Sequence, residues 1–206
     1  MKLYKTALSI IFLLILLSVL YFQKRKYQSE ISNMISVERL EEAQSIFEKK
    51  LKNDNFREFL QFSNSNLEID RKSVLKHQSS FLTFSDLLET EYKLFFNFSD
   101  INCTTCINQE VKNIKLFSDS VGVDRIVLLA NYRNERALTI FKRMNGLKNK
   151  IYNLDSSTLG LPIENYNLPF YFIANESGIA KHVFVPEKER ADLSRKYYQS
   201  MISKMD

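Results

Sequence analysis

The chain has 206 residues, 45% of them apolar and 13% aromatic, enough for one domain with a full core and too apolar for a disordered protein. Its net charge of +5 sits entirely in residues 1–26, where Lys2, Lys5, Lys24, Arg25 and Lys26 have no acidic neighbour; the other 24 bases balance the 24 acids. The body of the protein therefore carries no net basic field for phosphate, which excludes nucleic acid as the expected partner.

The first element in the chain is an apolar run. From Thr6 to Gln23 no side chain is charged. At 1.5 Å per residue the run spans roughly 27 Å, close to the ~30 Å of a bilayer's hydrocarbon core. Tyr4, Tyr21 and Phe22 stand where interfacial aromatics belong. Residues 1–26 are read as a membrane anchor rather than a cleaved signal peptide, because small residues at the cleavage spacing are missing after the run. The bases on its two sides nearly tie, so the positive-inside rule does not orient it.

Residues 27–63 are read as an amphipathic helical linker. Ile31, Met34, Ile35, Leu40, Ala43, Phe47 and Leu51 recur at helical spacing among acids and lysines, and "KNDN" at 52–55 is expected to end or bend the helix. Fewer than four clean heptads are present, so its 30–51 stretch offers at most a weak dimer contact.

From residue 64 to 206 the pattern becomes alternating strands and helices. "YKLFFNF" (92–98) has strand length and composition, and Ile107, Val111 and Ile114 mark a helix starting at or near Cys103. "DRIVLLANY" (124–132) reads as a buried strand. Asn134 caps a helix with Ala137, Ile140, Phe141 and Met144 inward, and Gly146 ends it. "NKIYNL" (149–154) and "PFYFIAN" (169–175) are further strands, and "NESG" (175–178) turns the chain into "IAKHVFV" (179–185). Pro186 opens a last helix with Leu193, Tyr197, Tyr198, Met201 and Ile202 inward. This order predicts an α/β domain: a mixed sheet with helices on both faces.

The two cysteines, Cys103 and Cys106, stand at the strand-to-helix junction. A zinc half-site would need two more ligands; there is no second CxxC, and His77 and His182 are isolated, His77 in a polar stretch that reads as solvated and His182 as a surface or hairpin residue. A purely structural disulfide across so small a loop would remove little entropy from the unfolded chain. A redox pair fits the context. The N-terminus of a helix offers unpaired N–H groups and the positive end of its dipole, which favour thiolate at Cys103. Cys103 is therefore expected to be the exposed, attacking sulfur and Cys106 the shielded, resolving one.

"KLFFNFSDINCTTC" resembles the strand and active-site turn of the thioredoxin superfamily, and most resembles the TlpA/ResA-like membrane-anchored thiol-disulfide oxidoreductases. Asn97 and Phe98 match that family's Asn-Phe pair, and Cys103 and Cys106 its cysteines. "LTFSDLLETEYKLFFNF" is similar to its preceding block, and "NYNLPFYFIANESGIAKHVFV" to its proline-strand-turn block. The resemblance covers roughly residues 66–206. It implies a thioredoxin-like fold, with Pro169 at the superfamily's cis-proline position beside the disulfide and Leu168 presenting its backbone to an extended substrate. It also implies protein thiols or disulfides as partners, no separate metal or small-molecule cofactor, and, with the anchor, a single pass through a bacterial cytoplasmic membrane with the catalytic domain outside the cytoplasm.

The departures bear on the same site. Ser99 and Asn102 stand where the family carries tryptophans, Asn97 replaces the buried acid of thioredoxin itself, and the Thr104-Thr105 dipeptide has neither proline nor charge, so it does not fix a reduction potential. Three functions stay open at this level: a reductase of partner disulfides, a disulfide-forming oxidase, and a non-catalytic thioredoxin-like binding module.

Overall fold

The computed structural model describes residues 21–26, 44–46, 48–154, 157–188 and 190–205. The chain divides into two compact units, Met1–Asn55 and Phe56–Asp206. In the first, the described residues are helical and exposed. Most of the expected membrane span, and most of the expected 30–51 dimer stretch, lie outside the described residues. Among the described residues no helix is long and apolar enough to cross a membrane.

A helix runs over 48–64 (α1) without a break at 52–55. Asn53, Asp54 and Asn55 lower helix propensity only slightly, and neither proline nor glycine is there to stop the ladder. The second compact unit begins at Phe56. Leu60 and Asn64, one turn apart, are both 1% exposed and belong to its interior.

Among the described residues eight strands form one sheet: β1 (Leu67–Glu68), β2 (Val74–His77), β3 (Ser80–Thr83), β4 (Lys93–Ser99), β5 (Ile126–Asn131), β6 (Ile151–Asn153), β7 (Phe170–Ala174) and β8 (Ile179–Phe184). Their spatial order is β1-β8-β7-β4-β5-β6-β2-β3. β4, β5 and β6 are parallel neighbours, while β7 runs antiparallel to β4 and β8 antiparallel to β7. Helices α2 (Thr104–Val121) and α3 (Glu135–Asn145) make the crossovers after β4 and β5, and α4 (Ala191–Met205) follows β8. This connectivity, β4-α2-β5-α3 followed by the β7-β8 hairpin and α4, is the thioredoxin-like fold that the resemblance implies. The hairpin β2-β3, which periodicity did not predict, extends the sheet beyond β6.

Both faces of the sheet are covered, which is why β4 buries apolar residues on both faces, Leu94, Phe95, Phe96 and Phe98. Phe95 stacks on Phe172, with ring centroids 5.1 Å apart, and both adjoin Phe84 on one side. Leu94, Phe96 and Phe98 point to the other side, where Phe96 stacks on Tyr171 at 4.3 Å and Ile107, Val111, Ile114, Tyr198 and Met201 close over them. The expected helix faces are shifted. In α3 it is Leu138 and Phe141 that touch the core, while Met144 is 80% exposed and Ile140 lies outward. α4 starts at Ala191, five residues after Pro186, and buries Ser194, Tyr198, Met201 and Met205 but not Ile202.

The turn after β7 does need its glycine. Gly178 has φ +68°, and a Cβ there would collide with the Arg71 guanidinium, which hydrogen-bonds the Ser177 carbonyl.

Candidate functional site

Register brings the site together. β4 and β7 pair antiparallel with Asn97 opposite Phe170, so the chain entering β7, at Leu168 and Pro169, lies beside the chain leaving β4 toward the cysteines. Pro169 is buried and Leu168 half-buried. The bond before Pro169 is trans, since the described residues contain no cis peptide. This corrects the cis expectation taken from the resemblance; trans is also the lower-energy form of an X–Pro bond.

Cys103 is the N-cap residue of α2, with φ −55° and ψ 112°, and its side chain is exposed; Cys106 is half-buried one turn in. Both are free thiols. The Cys103 pKa is lowered, first by a hydrogen bond from the Cys106 thiol and then by the first-turn N–H groups of Cys106 and Thr105, with a smaller contribution from the Lys188 ammonium. The N–H contributions are those of a helix start, although no side-chain cap bond of full geometry closes on the sulfur. Burial, and donation to Cys103, push the Cys106 thiol up to about 11. The two sulfurs are thus unequal in the sense expected from their positions. Thr104 and Thr105 are exposed on the first turn.

Lys188 was not singled out by sequence reasoning. It is an exposed residue between β8 and α4, and its charge favours thiolate at both cysteines. Replacing it, Lys188→Glu, should move the midpoint of Cys103 alkylation to higher pH; an iodoacetamide rate-pH profile on the full chain checks this.

Asn102 and Asn97 are both buried polar residues. Asn102 accepts a hydrogen bond from the Ser99 N–H at 2.7 Å and donates one to the Asn167 carbonyl at 2.7 Å. It therefore ties the cysteine turn to the segment preceding Pro169. Asn97 sits on the face of β4 that also carries Phe95, and its amide nitrogen has no hydrogen-bond partner among the described residues.

The neighbouring loops are held by α1, an arrangement that sequence reasoning missed. Arg57 donates to the Pro186 carbonyl at 2.7 Å, Gln61 accepts from the Val185 N–H at 2.9 Å, and Asn64 accepts from the Ile163 N–H at 2.9 Å. The only hint in sequence was the polar "SNSN" stretch at 63–66.

His77 is half-buried on β2, its Nδ1 2.8 Å from the Ile151 carbonyl and its ring against Tyr152, which corrects the solvated reading. His182 is exposed on β8 with φ +51°. Among the described residues no cluster of three His, Cys, Asp or Glu side chains could hold a metal.

No protein-family model matches the chain, and no curated protein matches it by sequence. Solved structures do. A PrxQ variant from Xylella fastidiosa is 10% identical, with a TM-score of 0.49 over 68% of this chain and 97% of its own. A thiol:disulfide interchange protein DsbE from Chlorobium tepidum is 10% identical, with a TM-score of 0.49 over 66% of this chain and 98% of its own. StoA from Bacillus subtilis is 18% identical, with a TM-score of 0.41 over 60% of this chain and 93% of its own. At such identities the chemistry must be read from this chain's own residues.

Proposed function

We propose that the chain is a membrane-tethered thiol-disulfide oxidoreductase that reduces disulfides in partner proteins outside the cytoplasm. The observation that carries this reading is the inequality of the two sulfurs: Cys103 exposed, at a helix start and with a lowered pKa, and Cys106 shielded with a raised one.

The Cys103 thiolate attacks one sulfur of a partner disulfide. That bond breaks, a mixed disulfide forms, and the leaving partner sulfur takes up a proton. Cys106 then gives up its proton and attacks the Cys103 sulfur, releasing the second partner thiol. Two electrons have passed to the partner, and Cys103 and Cys106 end as a disulfide. Leu168 and Pro169 form the wall against which the partner backbone lies. No cofactor takes part in this sequence.

The opposite direction has one observation in its favour. A lowered Cys103 pKa stabilises the reduced protein, and stabilising the reduced form makes a pair more oxidising. Equilibration of the full chain, solubilised in detergent, with dithiothreitol or glutathione buffers separates the two. A two-electron transition below about −220 mV supports the reductase, and one near −120 mV the oxidase. If no reversible disulfide links the cysteines in any buffer, the redox reading falls and a protein-binding module replaces it.

A further inference from the structure

We infer that Asn102 is a positioning residue, whose amide sets the spacing between the Cys103 turn and the Asn167-Leu168-Pro169 wall and so confers activity on disulfides carried within polypeptide. This rests on the proposed function and deepens it.

Asn102 immediately precedes the nucleophile, yet it is only 9% exposed while its neighbours Ile101 and Cys103 lie outward. Its planar amide spans two chain segments. The oxygen accepts from the Ser99 N–H, at the end of β4, and the nitrogen donates to the Asn167 carbonyl, two residues before Pro169. An acceptor and a donor are needed at opposite corners of one short rigid group. Aspartate keeps the volume and the acceptor but turns an oxygen toward the Asn167 carbonyl; alanine leaves both backbone groups without this partner.

The wall is prepared for this bond. Asn167 is left-handed, with φ 51° and ψ 38°, at the end of the Pro162–Tyr166 turn. Asparagine adopts that conformation more readily than most residues. Farther back the same loop is pinned by Asn64 on the Ile163 N–H, and by the Glu164 carboxylate, which accepts from the Leu159 and Leu161 N–H groups. Those bonds fix the loop to α1 and to itself. The Asn102 bond fixes it to the cysteines.

A small disulfide needs only the thiolate, whereas a polypeptide disulfide must be aligned against Leu168 while its sulfur is in line with Cys103. A displacement of about 1 Å costs up to about a hundredfold in such aligned reactions. The test compares Asn102→Asp and Asn102→Ala with wild type in the detergent-solubilised full chain, each first reduced with dithiothreitol and freed of it, so that one turnover of insulin as the polypeptide disulfide or 5,5′-dithiobis(2-nitrobenzoate) as the small one draws its two electrons from Cys103 and Cys106 and gives kcat/KM as a second-order rate constant. Circular dichroism shows that each variant is folded, and the near-isosteric Asp variant carries the test if Ala is not. The expected result is a fall of at least about tenfold in the ratio of insulin kcat/KM to small-disulfide kcat/KM, taken mainly as a rise in the insulin KM. An unchanged ratio in a folded Asp variant, whether both activities persist or fall together, overturns the inference. Wild type that reduces neither substrate overturns the proposed function itself, and this inference with it.

Discussion

Cys103→Ser should abolish disulfide reduction, whereas Cys106→Ser should attack once and remain joined to its partner as a mixed disulfide. The serine hydroxyl at 103 would hold its proton at any physiological pH, and the thiolate is the nucleophile in exchange. Loss of turnover by at least about a thousandfold is expected, since the one remaining cysteine, Cys106, is half-buried and its thiol is pushed up to about 11. Cys106→Ser keeps the exposed sulfur and the first-turn N–H groups, but removes the thiol that lowers the Cys103 pKa most. Its attack should therefore be slower at neutral pH as well as unresolved. Non-reducing gels with a disulfide-bearing partner read the trapped adduct, and a stopped-flow alkylation profile reads the shift. Equal trapping by both variants would contradict the assignment of roles.

Glu110→Ala should destabilise the fold by about 3 kcal/mol, lowering the melting temperature by roughly 10 °C. Glu110 is a buried carboxyl on the inner face of α2, 2% exposed. It accepts from Ser194 at 2.9 Å, Tyr171 at 2.9 Å and Tyr198 at 3.2 Å, and so joins α2 to β7 and α4. Truncation would leave Ser194 without an acceptor and open a cavity, although Tyr171 and Tyr198 could still pair, their hydroxyls being 2.6 Å apart. Burial raises the Glu110 pKa despite these donors. An acid whose pKa is higher folded than unfolded contributes stability in full below the unfolded value, and that contribution is lost as pH rises from near 4.5 through the folded value. Glu110→Gln has no such titration. Its stability relative to wild type should therefore rise between pH 4 and pH 8, as measured by urea midpoints; a relative fall over that range would contradict the raised pKa.

Glu110 also shows where sequence reading stopped. The helix was legible from Ile107, Val111 and Ile114, whose spacing reports burial directly, but the carboxyl between them was not singled out. Its partners were the available signal: Tyr171 and Tyr198 each bring a hydroxyl to positions where phenylalanine would pack equally well. The central strands and the order β-α-β-α-β-β-β-α were legible because burial on both sheet faces enforces apolar runs. Cys103 and Cys106 were legible because a strand ends and a helix begins around them. The hairpin β2-β3 was not, since its four-residue strands alternate weakly and Val74 and Phe81 face solvent. The bridge made by Asn102 depends on the register between β4 and β7, which no local pattern encodes.

The contacts of α1 have a consequence for the order in which the protein matures. Arg57 reaches a carbonyl 129 residues later in the chain, and Asn64 an N–H 99 residues later. Synthesis delivers Cys103 and Cys106 well before either of those segments, so both thiols emerge while their surrounding walls are still unmade. Loop closure over such separations is slow compared with helix formation. A nascent chain therefore passes through an interval in which Cys106 lacks its shielding and is open to any thiol or oxidant at hand, an interval that closes as Ile163 and Pro186 dock on Asn64 and Arg57.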